Sequence, residues 1–355
     1  MRLGRDRLAD RDDLFAGKRI GLVTNQSGRA TIDAFRATFG LVALFSPEHG
    51  LTGDAPAGTR VPSSVDRATG LPVHSLYGET TRPTREMLED VDVVAYDIQD
   101  VATRCFTYVS TLAEVMRACA ACDIPVVVLD RPDPLGGVPP DGPMLEPRFA
   151  SFVGAAPVPL RYAMTPGELA SFYLDALGID CALTVVELEG WRRRWLDEER
   201  IPFEPPSPAL RSLTACALYP GTVLFEATNV SVGRGTRAPF EWIGAPWLDA
   251  ASLARRRIDA VRLAAEEREP GPGVRIEIAD RAALRPVQVG VQLLAAIRDA
   301  HEELAIDPAA FDRLAGTDAL RRALESGAPA SDIKASWRDA LDAFERERSG
   351  YLRYR

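Results

Sequence analysis

The sequence is poor in the residues that carry most metal, thiol and nucleotide chemistry. Its 355 residues include three histidines, His49, His74 and His301, and five cysteines. Cys105, Cys119, Cys122, Cys181 and Cys216 are too few and too scattered for a disulfide framework. Cys119 and Cys122 have C-x-x-C spacing, but no second Cys or His pair stands near them, so they read as small buried apolar side chains. Neither G-x-G-x-x-G nor G-x-x-x-x-G-K-[ST] occurs, which removes the usual signatures of dinucleotide and P-loop binding. No apolar run reaches the roughly 18 residues of a membrane span, and the charged opening MRLGRDRLADRDDLFAGKR lacks the apolar core of an export signal. A soluble, cytoplasmic chain is expected. Lysine appears only at Lys18 and Lys334, so nearly all positive charge is arginine, and the net charge of -9 argues against a sequence-independent grip on nucleic acid or anionic membrane.

The order of the segments is more informative. A chain of 355 residues exceeds what one core ordinarily supports, so two domains are expected, residues 1–150 and 151–355. Within the first, apolar strand-like runs at 19–24, 41–46, 73–77, 91–98 and 124–130 alternate with helix-like segments near 31–39, 84–90 and 111–122. The runs are too apolar for a sheet wetted on one face, which predicts a parallel, Rossmann-like sheet covered by helices on both sides. The second domain reads as a smaller α+β unit. It holds a capping box at Thr165-Pro166-Gly167-Glu168, a strand at 183–188, a mostly irregular stretch at 205–247, helices near 249–267 and 290–304 around a strand at 274–278, and two or three closing helices after 307.

The strand ends carry the functional signal. The first-domain runs finish in Asn25, Glu48-His49, Tyr77-Gly78, Asp97-Ile98-Gln99-Asp100 and Asp130-Arg131. Parallel strands put these polar ends on one edge of the sheet, where ligands of open α/β folds bind. Glu48 and His49 stand out, because the run LVALFS stops abruptly in Pro-Glu-His-Gly. Asp97 and Asp130 are equally readable as helix caps or loop braces. His74 falls within a predicted strand and His301 on a helix, so both read as structural or surface groups.

With these segments placed, the chain resembles the exo-β-N-acetylmuramidase family of NamZ type. The matching motifs are GLVTNQSG at 21–28, SPEHG at 46–50, TGLPVHSLYG at 69–78 and YDIQDVATRCFTYVSTL at 96–112. They continue through VLDRPDPLGG at 128–137, SFVG at 151–154, RYAMTPGELA at 161–170, YPGTVLFEATNVSVGRGTRAPFEWIGAPW at 219–247 and a terminal YLRY. The resemblance implies an exo-acting glycosidase that releases terminal N-acetylmuramic acid, or a related N-acetylated amino sugar, from peptidoglycan fragments. It implies a cleft between the two domains, no cofactor or metal, and an amino-sugar or muropeptide substrate as partner.

By that resemblance Glu48 is the candidate general acid, with His49 and Asp100 beside it in the catalytic group. Asn25, Tyr77, Asp97, Gln99, Tyr108, Asp130, Arg131, Glu226 and Asn229 are candidate substrate-binding residues. Glycosidic cleavage needs a proton beside the leaving oxygen and negative charge near a cationic sugar, so carboxyls in one pocket suit it. The lactyl carboxylate of muramic acid calls for a guanidinium fork, with Arg104, Arg161, Arg234 and Arg237 as candidates. Tyr108 and Trp242 are further candidates for stacking on a sugar ring, against the commoner reading as buried aromatics.

The chain departs from the family pattern in three places. Ala102 stands where the family usually reads Gly in QDVG, Ser207-Pro208-Ala209-Leu210 stands for SPNM, and an insertion before the last strand is shortened to about 267–273. The shortened second domain, together with the absence of an export signal, suggests a rival of another class, a sugar-binding module that keeps the cleft without turnover. An amidase is less favoured, because no Ser-His or Cys-His nucleophile pair is evident.

Overall fold

A computed structural model describes residues 1–199 and 201–354. Strands and helices alternate from the start: β1 (Arg19–Thr24), α1 (Arg29–Thr38), β2 (Gly40–Ser46), β3 (Ser64–Val65), β4 (Pro72–Ser75), α2 (Arg85–Leu88), β5 (Val93–Asp97), α3 (Tyr108–Ala120) and β6 (Val126–Leu129). A short antiparallel pair, β7 (Asp141–Met144) and β8 (Pro159–Arg161), precedes α4 (Pro166–Ala176) and β9 (Leu183–Val186). Seven of these strands make one sheet in the order β3-β4-β2-β1-β5-β6-β9. All its pairings are parallel except that of the two-residue edge strand β3.

Successive side chains of a strand point to opposite faces, and the sheet buries both. On β1, Leu22 joins Ile32 and Phe35 of α1 on one face, while Val23 joins the core formed with α3 and α4 on the other. Helix α4 begins where its sequence requires: the Thr165 side chain accepts from the Glu168 amide, the Glu168 carboxylate returns to the Thr165 amide, and Pro166 occupies the first turn.

Four expectations on organisation change. Strand β9 pairs in parallel with β6, so the sheet unit runs past residue 150, through α4 to at least Val186. The predicted helix at 249–267 is instead a short helix, α6 (Ala250–Ala254), followed by β11 (Val261–Arg268). Ahead of them in the chain, α5 (Leu213–Thr222) and β10 (Trp242–Gly244) lie in the stretch expected to be mostly irregular. β11 forms a hairpin with β12 (Gly271–Ile278), and β10 completes a three-stranded antiparallel sheet. Helices α7 (Pro286–Arg298), α8 (Pro308–Ala315), α9 (Ala319–Glu325), α10 (Ala330–Ser336) and α11 (Arg338–Arg348) close the chain, one or two more after 307 than expected. The last residues return to the sheet unit, where the Tyr354 hydroxyl donates to Asp130. Among the described residues no helix is long and apolar enough to cross a membrane.

Candidate active site

The turn after β2 organises the site. Pro47 ends the strand, and His49 and Gly50 both take left-handed backbone, with φ of 70° and 75°. For a histidine that conformation is uncommon and locally strained. The turn leaves Glu48 8% exposed, with both carboxyl oxygens engaged. The Gly58 amide donates to Oε1 at 2.7 Å, and the Thr107 hydroxyl donates to Oε2 at 2.6 Å. Gly58 has φ +72°, which an L side chain would resist, and this lets the loop between β2 and β3 turn an N–H toward the carboxyl. His49 Nδ1 lies 2.6 Å from the Ala55 carbonyl. Since the carbonyl only accepts, Nδ1 carries the proton of that bond, and in the neutral ring Nε2 is left as an acceptor.

Glu48 and His49 line a cavity of about 480 Å³. The sheet unit contributes Gly58, Tyr77 after β4, and residues 105–108 at the start of α3. The rest of the lining includes Ser207, Ala209, Leu210, Tyr219 of α5, Glu226, Arg234, Phe240, and residues 310, 313 and 314 of α8. Like His49, Phe240 holds left-handed backbone, at φ 66°. The Tyr108 hydroxyl has no hydrogen-bond partner among the described residues. Burial first, and then the nearness of Glu48, raise the Tyr77 phenol above its ordinary pKa. Burial also pushes the Cys105 thiol up to about 12, so this cavity-lining sulfur is not a thiolate nucleophile at neutral pH.

Of the candidates drawn from sequence, the structure brings Glu48, His49, Tyr77, Tyr108, Glu226 and Arg234 to the cavity wall. Arg234 is already paired: its guanidinium binds both Glu226 oxygens, one at 3.0 Å, and lies over the Phe240 ring, 4.9 Å from its centroid.

The others do not line it, and all of them except the exposed Arg237 have an evident partner elsewhere. Asp97 is fully buried and ion-paired with Arg131 at 2.6 and 3.0 Å; Arg131 also binds Glu204 and the Ser27 carbonyl. Asp100 accepts from the Tyr162 hydroxyl and the Ala102 amide. Gln99 donates to the Asp100 and Pro132 carbonyls, and Asn25 caps the turn after β1 by accepting from Ser27. Asp130 accepts from Thr165, Gly167, the Arg131 amide and Tyr354, which makes it a brace between α4 and the chain end.

The arginines also divide. Arg161 pairs with Asp133 at 2.7 Å in the interior. Arg104, 1% exposed, donates to the carbonyls of Pro143, Val158, Leu314 and Ala315, so it ties the α3 approach to the end of α8. Arg237 is exposed and does not line the cavity. Asn229 is spent on the Glu303 carbonyl and the Ala305 amide. Trp242 is fully buried, with its indole N–H donating to the Glu266 carbonyl, so it is core rather than a sugar platform. His74 sits against Phe45 in the sheet, and His301 accepts from the Asp249 amide.

Sequence reasoning missed Gly58, Thr107 and Arg313. Thr107 lies in the quoted run RCFTYVSTL, but helix α3 starts at Tyr108, three residues before its predicted start, and this early start sets Thr107 against Glu48. Chemically, the arrangement offers one fixed carboxyl at the wall of a cavity, a second carboxylate held by an arginine, and aromatic walls. These are the parts that acid-assisted cleavage of a glycoside needs.

Comparison with known proteins agrees in kind. The family described as exo-beta-N-acetylmuramidase NamZ matches in two parts, the N-terminal part at residues 20–214 and the C-terminal part at 217–354. The chain is 40% identical to the peptidoglycan beta-N-acetylmuramidase NamZ of Bacillus subtilis, across 98% of this chain and 89% of that protein. Two crystal structures of DUF1343 family proteins from Bacteroides fragilis superpose with TM-scores of 0.89 and 0.78, each at 29% identity over 100% of this chain and 99% of theirs.

Proposed function

This chain belongs to the NamZ family of exo-β-N-acetylmuramidases, and we propose that it is a glycosidase releasing terminal N-acetylmuramic acid from peptidoglycan fragments, with Glu48 as the proton donor. The observation that carries the assignment of Glu48 is its fixed carboxyl at the cavity wall, bonded to Gly58 and Thr107. A carboxyl has about four lone-pair sites, so two protein donors leave room for a proton shared with the leaving oxygen. Glu226, clamped by Arg234, places negative charge on the same cavity, where a developing cationic sugar benefits from it. His49 acts by position: its bond to Ala55 ties the turn bearing Glu48 to the loop that supplies the Gly58 amide.

Nitrophenol release from the nitrophenyl β-glycosides of N-acetylmuramic acid and N-acetylglucosamine tests this reading. Turnover of the muramide in preference to the glucosaminide is expected. Calorimetric binding of muramic-acid sugars with no product from either glycoside or from muropeptides would instead make the protein a binding module.

A further inference from the structure

Two guanidinium groups line the cavity, and they are not equivalent. Arg234 is committed to both oxygens of Glu226 and to the face of Phe240. Arg313, on α8, is exposed at the wall, and among the described residues its side chain makes no ion pair and no hydrogen bond. We propose that Arg313 reads the carboxylate of the substrate and so sets its specificity for an acid-bearing sugar. The inference rests on the muramidase reading and names the residue that would distinguish the lactyl sugar from its neutral analogues.

Charge balance makes the case. The cavity already presents two carboxyl side chains, Glu48 and Glu226. Glu226 and Arg234 offset each other as a pair, so a carboxylate arriving with the substrate enters beside Glu48 with no counter-charge unless another cation supplies it. Arg313 is the cation left for the task. Its planar fork matches a carboxylate bidentately, which a lysine would not do. It shares the cavity with the acid: Arg313, Glu48 and Tyr77 all line it, and the Tyr77 phenol feels Glu48 as a raising influence and Arg313 as a lowering one, after burial.

The last turn of α8 is held for this purpose. Gly316 closes the helix in left-handed backbone at φ 71°, and a Cβ there would fall 2.4 Å from the Arg104 guanidinium. Arg104 fits into that space and donates to the Leu314 and Ala315 carbonyls at 3.2 and 2.6 Å. The residue that anchors α8 therefore comes from the loop leading to Thr107, so the two walls of the cavity are tied together just behind Arg313. A recognition group on a braced helix loses less freedom on binding than one on a loop.

The test compares the nitrophenyl glycoside of N-acetylmuramic acid with the same glycoside bearing its lactyl group as the methyl amide, which keeps the bulk and removes the charge. Wild-type protein, R313Q and R313K are assayed, with melting temperatures taken alongside. The wild type should prefer the acid by about tenfold or more in kcat/KM, the scale of one charge-assisted pair. R313Q should lose that preference, mainly through KM on the acid substrate, with unchanged melting because Arg313 makes no bond within the protein; R313K should recover part of it. A preference that persists in R313Q, or an equal loss on both substrates, overturns the role of Arg313 while leaving the muramidase reading in place. Turnover of neither glycoside by the wild type removes that reading and the proposal with it.

Discussion

The Thr107 hydroxyl lies 2.6 Å from Glu48 Oε2 and donates to it, so a side chain at the threshold of α3 fixes a carboxyl delivered by the turn after β2. With the Gly58 amide on the other oxygen, the carboxyl is held from two directions by segments about ten and sixty residues away in sequence, at separations of 10 and 59.

Replacing Thr107 with Val keeps its shape and removes the hydroxyl. Loss of one positioning bond should reduce kcat by about tenfold with little change in KM, while Thr107→Ser should retain most of it. Steady-state kinetics of the two variants check this, and equal losses in Val and Ser would show that the methyl, not the hydroxyl, matters.

Arg234 and Arg237 look alike in sequence, yet they should behave differently. Arg234→Ala leaves Glu226 unpaired at the cavity wall, so turnover should fall on the neutral sugar as well as on the acid one. Arg237→Ala should change kcat/KM by less than about twofold, as expected for an exposed side chain away from buried features. A selective loss on the acid sugar in the Arg234 variant would mean that its pairing with Glu226 gives way to substrate.

Much of the sheet was legible because it depends on local pattern. The runs on β1, β2, β5 and β6 are apolar enough to declare burial on both faces, and the Thr165–Glu168 capping box marks a helix start within four residues. Features set by distant partners were not legible. β11 reads VRLAAEER, rich in helix formers, and is a strand because β12 pairs with it along its whole length. Helix α5 contains Pro220 and Gly221, which argue locally against a helix, but it is buried along most of its length.

The site shows the same division. The topology correctly sends polar strand ends to one edge, yet sequence does not say which of them turn inward. Asp97 and Arg131 satisfy each other in the interior instead of facing a ligand. Arg313 had only a helical pattern around it, with nothing local to mark a cavity wall.

Asp100 carries a pH signature. Burial pushes its carboxyl up to about 7, with the Tyr162 hydroxyl and the Val101 and Ala102 amides opposing. An unfolded aspartate titrates near 4, so between about 4 and 7 the native state holds a proton that the unfolded chain has lost. Its contribution to stability is therefore full below that window and falls as pH rises through it, by at most about 1.4 kcal/mol per pH unit. Urea unfolding from pH 5 to 8 should show the stability of wild type declining relative to Asp100→Asn. Parallel pH profiles for the two proteins would mean that Asp100 does not hold the proton.

The central claim is that Glu48 donates the proton to the leaving oxygen. Glu48→Gln keeps the shape and the acceptor that Thr107 or Gly58 uses, but has no transferable proton. The measurement is kcat for Glu48→Gln and wild type on a muropeptide, whose sugar leaving group needs protonation, and on the nitrophenyl muramide, which scarcely does, at matched folded concentration. Turnover of the muropeptide should fall by about 10²-fold or more, with a much smaller loss on the aryl glycoside. An equal loss on both substrates, accompanied by a lower melting temperature, would contradict the account and leave Glu48 as a brace for its loop.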